Sequence, residues 1–213
     1  KYKNERTIVK VANGRKALIE LARYKRSLYN IPVVAVTGSV GKTSTKDTIA
    51  TVLSKKYNVL KTEGNFNNDI GLPLTILRLK NHEVLVVEMG MNHFGEISLL
   101  TNIAKPSIAV ISNIGTSHIG ILGSRKNILK AKLEILEGMD ENGVLVLNND
   151  NDLLSDWNSK NTSVKTNTFG IENASDYLGY NVEHLENNSK FNVEINNKEY
   201  SVLTSKPGEP FVM

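Results

Sequence analysis

Cysteine is absent from the 213-residue sequence, which rules out a disulfide framework, a thiolate zinc site and a cysteine nucleophile. A reducing compartment such as the cytoplasm suits that composition. Long apolar runs are missing too. Stretches such as Val84 to Val87 are strand-sized, far from the roughly 20 residues that span a bilayer, so membrane insertion is not expected. There is no block of Lys and Arg and no basic stripe interleaved with aromatics. The net charge of +4 is spread over 26 basic and 22 acidic residues, which disfavours nucleic acid as a partner and suits a small anionic ligand. An initiator Met and a signal-peptide pattern are also lacking. The sequence opens at Lys1 and stops at the apolar "SKPGEPFVM", and reads as a piece excised from a longer chain. What is present, 40% hydrophobic residues over this length, is enough to bury one substantial core with room for a small appendage.

Strand-like and helix-like stretches alternate from residue 33 to about 150. "VVAVT" (33–37), "NVLK" (58–61), "EVLVVE" (83–88), "SIAVISN" (107–113) and "GVLVLN" (143–148) are short, apolar and unalternating, the pattern of strands buried on both faces. Helices are expected over 42–54, 72–79, 95–104 and 124–137, the last with Ile128, Ala131, Ile135 and Leu136 at helical spacing. Such alternation predicts an α/β fold, a mostly parallel sheet flanked by helices, with ligands at the carboxyl ends of the strands. After Asp152 the texture changes to dense Asn, Ser and Lys. "FNVEINNKEYSVLT" alternates at period two around "NNK", which predicts a three-residue hairpin loop in a small antiparallel β subdomain near the C-terminus. At the other end, "ALIELARYKRSLYN" carries a helical apolar stripe through Ala17, Leu18, Leu21 and Leu28, a connecting helix that leads into the first strand.

The phrase "GSVGKTSTKD" (38–47) follows the first strand directly. A strand ending at Thr37, a glycine-bearing turn and Gly41-Lys42-Thr43 opening a helix bring backbone N–H groups and a helix N-terminus onto one point, where a phosphate fits. Lys42 would neutralise the transferred phosphate and the Thr43 hydroxyl would ligate magnesium. The strict G-x-x-x-x-G-K-[ST] pattern fails, because Val36 holds the place of its first glycine. A glycine-rich turn with an incidental lysine is the alternative, and the flanking strand and helix favour the phosphate loop.

Other residues fall where the same ligand needs them. Glu88 ends an apolar strand at the carboxyl edge, the place of a magnesium contact, unless it reaches solvent or pairs with a lysine. His118 in "ISNIGTSHIG" follows the next strand and is either structural or a metal or substrate group. Asn65, Asn67 and Asn68 crowd into "TEGNFNNDIGLP"; they make a turn, or amide contacts to a polar substrate. Lys132, by composition alone, reads as part of a solvated helix face.

Taken together, "VTGSVGKTSTKD", "KTEGNFNNDIGLPLT", "VVEMGMNHFGEI", "SNIGTSHI", "KAKLEILEG" and "VLNND" stand in the order and spacing of the Mur ligase family. The resemblance is strong over 33 to about 152 and weaker in the flanks. The family uses the shorter T-G-x-x-G-K-T loop, which accounts for the missing glycine. The triple-Asn phrase and "EMGMNH" look most like the branch that joins D-alanyl-D-alanine to a UDP-N-acetylmuramoyl-tripeptide during peptidoglycan precursor synthesis.

The resemblance implies a three-domain, cytoplasmic, monomeric ATP-dependent amide ligase using magnesium. Residues 1–31 would be a stub and connecting helix from an N-terminal domain that holds the acceptor. Residues 32–213 would be the central ATP-binding domain, with 153–213 its small β-rich part. The N-terminal domain proper and a C-terminal domain that closes over the site lie outside this sequence, and the piece alone is expected to be inactive. In the family, ATP phosphorylates an acceptor carboxylate to an acyl phosphate, which an incoming amine attacks. By matching positions, Gly38, Ser39, Gly41, Lys42, Thr43 and Ser44 would hold the nucleotide phosphates, with Thr43 and Glu88 on a first magnesium. His118 and Lys132 would serve a second, Lys132 matching a lysine that is carbamylated in several members. Asn148 would lie near the base, although "NNDN" departs from the usual N-A-D-D, and Asn65, Asn67 and Asn68 would face the acceptor peptide. A sibling ligase or a folylpolyglutamate synthase is the competing reading within the family, and "EGNFNNDIG" argues against both. A simple P-loop kinase or regulatory NTPase predicts a strict phosphate loop and an Asp at the strand end, and an isolated nucleotide-binding module without activity is the third alternative.

Overall fold

The computed structural model describes residues 8–195 and 198–204. Five strands come where apolar runs were read: β1 (Val33–Thr37), β2 (Val59–Lys61), β3 (Val84–Glu88), β4 (Ile108–Ile111) and β5 (Val144–Asn148). Every residue of β1 and β3 is buried, because both faces of these strands are covered. Side chains alternate between the faces. Val33, Ala35, Leu85 and Val87 point into the larger apolar cluster, whereas Val34, Val36, Val84 and Val86 point into a smaller one on the opposite face.

The helices complete both layers. α1 (Gly14–Ser27) starts where the Asn13 side chain accepts from Lys16 N–H at 2.9 Å, and it packs against α3 (Gly71–Leu77) and α4 (Glu96–Ala104). α2 (Lys42–Leu53) lies against β1, β2 and β3, with Ala50, Ile49 and Leu53 in the smaller cluster. α5 (Ile119–Leu122) is a single turn. The helix expected over 124–137 divides into α6 (Arg125–Leu133), capped by Ser124, and a 3-10 helix over Glu134–Gly138.

Beyond Asp152 the parallel pattern goes on further than the composition suggested. α7 (Asp152–Lys160), capped by Asn151, leads into β6 (Thr166–Gly170), which pairs parallel with β5. β7 (Tyr177–His184) pairs parallel with β6 through Phe169 opposite Tyr177 and Gly170 opposite Leu178. The expected antiparallel part then follows as β7, β8 (Ser189–Ile195) and β9 (Lys198–Leu203). Its strands extend the same sheet, whose order is β2-β3-β1-β4-β5-β6-β7-β8-β9. Ile195 stands opposite Lys198, so Lys198 belongs to the strand and not to the hairpin loop; Asn196 and Asn197 lie outside the described residues, as does the "KPGEPFVM" ending.

This order places the site. From β1 the chain crosses toward β2, and from β3 it crosses to the other side, toward β4. The connections that leave the neighbouring strands β1 and β3 therefore run in opposite directions from their paired carboxyl ends, and a crevice opens between those loops.

Candidate active site

Val36 and Glu88 face each other across the β1–β3 pair, and the Thr37 hydroxyl donates to the Met89 carbonyl at 2.9 Å, which locks the two strand ends together. The chain then turns through Gly38 and Gly41 into α2. Gly38 packs so closely that a Cβ there would stand 1.9 Å from Ser112 Oγ. Gly41 sits at φ 77°, in the left-handed region that glycine enters freely, and as the residue before α2 it brings no side chain to cap the first turn. The positive end of the helix is thereby left open to an anion.

Lys42 curls back, its Nζ donating to the Gly38 carbonyl at 2.9 Å. Burial lowers its pKa, and the nearby Glu88 charge opposes that shift. Glu88 itself is 2% exposed. Its Oε2 accepts from the Thr43 hydroxyl at 2.8 Å and its Oε1 from Asn67 Nδ2 at 2.8 Å, while its N–H donates to Thr62 Oγ1 at 3.1 Å. A buried carboxylate whose direct partners are neutral retains a charge to be balanced, which a cation does.

These oxygens fit magnesium. Adjacent ligands around an octahedral ion with bonds of about 2.1 Å lie roughly 3 Å apart, close to the 2.8 Å between Thr43 Oγ1 and Glu88 Oε2. Among the described residues no group of three or more His, Asp or Glu side chains is placed to hold a metal. The remaining positions around such an ion would fall to phosphate oxygens and water, the usual division for magnesium.

Beside this point opens a cavity of about 370 Å³. Lys42, Lys132 and His118 line it together with Arg15, Asn67, Asn68 and Asp69. Lys132 is 2% exposed, and burial together with the Lys42 charge pushes its pKa down to about 7. It is therefore no solvated helix-face lysine. His118 holds φ 66°, a left-handed conformation that costs a non-glycine residue energy and that histidine adopts more readily than most.

The other expected residues are distributed more widely. Asn68 lines the cavity but also begins α3, its Oδ1 accepting from Ile70 and Gly71 N–H at 3.1 and 2.9 Å. Asn65 is exposed and is not part of the cavity wall. Ser44 lies in the first turn of α2. The buried Ser39 hydroxyl accepts from Gly115 N–H at 2.9 Å, a bond within the fold. Asn148 ends β5, away from the cavity wall, and its Oδ1 accepts from Asp150 N–H at 2.9 Å.

Sequence reasoning missed three contributors. Arg15 reaches the cavity from α1 and its Nε donates to Asp69, an ion pair between residues 54 apart in sequence with no local signal. Glu134 caps α4 from outside, accepting from Gly95 N–H at 2.8 Å and Ser98 N–H at 3.2 Å, and so fixes the loop after β3. Lys46 is 1% exposed and donates from α2 to the Thr62 carbonyl at 2.9 Å, steadying the residue that holds Glu88. A buried lysine four positions after Lys42, on the same helix face, was the available signal.

The family model described as Mur ligase middle domain matches residues 36–213. The chain belongs to the Mur ligase family. Among Mur ligases, the UDP-N-acetylmuramoyl-tripeptide--D-alanyl-D-alanine ligase of Escherichia coli (strain K12) is 38% identical over 200 residues, which cover 93% of this chain and 44% of that protein. The chain thus spans less than half the length of this relative. The crystal structure of MurF from Acinetobacter baumannii superposes with a TM-score of 0.88 at 34% identity, covering 96% of this chain and 47% of that one. MurF ligase from Thermotoga maritima, solved in complex with ADP, gives a TM-score of 0.84 at 34% identity, over 97% of this chain and 48% of that one. Among the described residues of this Mur ligase chain, no helix is long and apolar enough to cross a membrane.

Proposed function

We propose that the full-length protein is a cytoplasmic, monomeric ATP-dependent ligase that joins D-alanyl-D-alanine to a UDP-N-acetylmuramoyl-tripeptide. The observation that carries this reading is the Thr43–Glu88 oxygen pair, next in the chain to Lys42 and bonded to Asn67, both of which line a cavity with Lys132 and His118. Similarity to ligases bearing that name, one of them solved with ADP, supports it. Residues 32–213 are the central ATP-binding unit and 1–31 its connection to an acceptor-holding domain. A C-terminal domain completes the nucleotide site, and the central unit alone turns over no substrate.

Thr43 and Glu88 would hold a magnesium ion, which would supply positive charge to the phosphates. The chain's own groups do the remaining work. The open start of α2 and Lys42 hold the γ-phosphate while it passes to the acceptor carboxylate with loss of ADP, giving an acyl phosphate. The amine of D-alanyl-D-alanine then forms the amide and phosphate leaves. Asn67 fixes the Glu88 carboxylate, and Asn67 and Asn68, on the cavity wall, border the acceptor, while Asn65 stands outside that wall. Lys132, neutral in part near pH 7, has the free amine that carbon dioxide needs to form a carbamate with release of a proton; the carbamate and His118 would serve a second metal. Asn148 lies toward the base.

Phosphate release by the full-length protein tests the proposal. Release that requires ATP, magnesium, the tripeptide acceptor and D-alanyl-D-alanine together is the expected result. Release without the dipeptide, or with a single amino acid replacing it at equal rate, would overturn it.

A further inference from the structure

The loop after β4 grips the phosphate loop by its backbone. Asn113 Oδ1 accepts from both Ser39 N–H and Val40 N–H, at 3.1 and 3.0 Å, and Asn113 Nδ2 donates to the Val40 carbonyl at 3.2 Å. The Asn113 carbonyl accepts from Ser39 N–H as well, at 3.1 Å. Around it, Ser112 Oγ donates to the Val40 carbonyl at 2.8 Å and Ser117 Oγ to the Ser39 carbonyl at 3.2 Å. The backbone N–H and carbonyl groups of Ser39 and Val40 are thus all engaged by residues 112–117. Val40 is nonetheless 62% exposed at its side chain, so apolar packing cannot be what holds this corner.

From this geometry we infer that Asn113 is a positioning residue for the nucleotide: its amide takes over the shaping of a phosphate loop too short to shape itself. A turn whose N–H groups are already satisfied cannot collapse onto its own carbonyls, and the N–H groups at the start of α2, which no side chain caps, stay available to a phosphate. One side chain meets a donor pair and a carbonyl at once, a geometry that Asn supplies and that an apolar residue cannot. The same segment leads through Ser117 to His118, so whatever fixes the phosphate loop also fixes the histidine at the cavity. The inference rests on the nucleotide-site reading above and adds a residue to it.

The test uses the full-length protein and a non-hydrolysable ATP analogue with magnesium, titrated calorimetrically. Asn113→Ala is expected to weaken analogue binding at least tenfold and to raise the KM for ATP in parallel, with the acceptor KM unchanged. Hydrogen exchange at the Val40 amide, held by the Asn113 side chain, should quicken in Asn113→Ala and stay slow in Asn113→Asp, which keeps the accepting oxygen; the Ser39 amide keeps its bond to the Asn113 backbone carbonyl in both variants. Binding within twofold of the parent would overturn the inference. So would equal losses toward ATP and acceptor accompanied by a lower unfolding temperature, since those describe a general packing defect. A parent protein that binds no analogue would remove the nucleotide-site reading itself, and this inference with it; Lys42→Ala, expected to lose binding whatever happens at Asn113, separates the two failures.

Discussion

The Thr43 hydroxyl and the Glu88 carboxylate meet at 2.8 Å across the carboxyl ends of β1 and β3, joining the first turn of one helix to the last residue of a neighbouring strand. Forty-five residues separate them in sequence, yet the parallel β1–β3 register sets Glu88 opposite Val36, six residues before Lys42 opens the helix that carries Thr43. If this pair holds magnesium, Glu88→Gln, which keeps the shape and removes the charge, should raise the magnesium concentration needed for half-maximal turnover by roughly tenfold or more. An unchanged magnesium titration in the full-length enzyme would take Glu88 out of the site.

In the proposed mechanism Lys42 supplies charge to a phosphate, and it belongs to neither apolar cluster. Lys42→Ala should lower phosphoryl transfer by about a thousandfold or more while leaving the circular dichroism spectrum and unfolding temperature close to the parent's. Turnover within tenfold of the parent would contradict its assigned role.

Lys132 predicts a pH dependence of stability. Its pKa falls from 10.5 toward about 7 on folding, so between those values the unfolded chain binds more protons than the folded one. Stability from this group therefore rises as pH increases from about 7 to about 10, by up to a few kcal/mol. Below pH 7 the lysine is protonated in both states and the penalty is constant. Urea unfolding across this range should show the rise in the parent and lose this component in Lys132→Met. A variant with the parent's slope would show that the lysine is not the source.

Gly38 is required by space. An added Cβ would meet Ser112 Oγ at 1.9 Å, Ser112 Cβ at 3.2 Å and the Val40 carbonyl at 3.3 Å. Gly38→Ala should destabilise the protein by about 1–3 kcal/mol, because Ser112 must give up its bond to Val40 or the turn must shift. Adding Ser112→Ala removes the first obstacle, so the double variant should recover part of the loss. Strict additivity in the double-mutant cycle would show that the two residues do not compete for the space.

The parallel core was legible because its strands are buried on both faces and so read as unbroken Val, Ile and Leu. β6 escaped notice for the opposite reason. Its sequence, Thr-Asn-Thr-Phe-Gly, has no apolar run, and its buried Thr168 is accommodated by Asp176, which accepts from its N–H at 2.7 Å and its hydroxyl at 2.9 Å. α7 hid in an Asn-rich stretch whose asparagine is in fact its cap. The helix expected over 124–137 tightens after Leu133, where Glu134 turns to the start of α4, a tertiary demand with no local signature. Lys42, Thr43, Glu88 and His118 were singled out because each ends or follows a strand or stands in a motif, whereas Lys132 read as a solvated helix face until the family resemblance gave it a role, and its burial comes from packing that its neighbours in sequence do not signal. Asn113 was passed over as part of an unremarkable strand end, although it lies five positions before His118 in the same phrase.

α1 is fastened at both ends. Near its start Arg15 holds Asp69, and at its finish the Arg26 guanidinium clasps the carbonyls of Tyr29, Ile31 and Ala104, the last at 2.8 Å. A helix pinned in this way is a strut and not a hinge. A torque applied to the chain before Asn13 cannot swing α1 by itself; it would be passed to the loop that carries Asn67 and Asn68 and to the far end of α4 together. Movement passed along α1 would therefore reach the Asn67–Asn68 wall of the cavity as mechanical load.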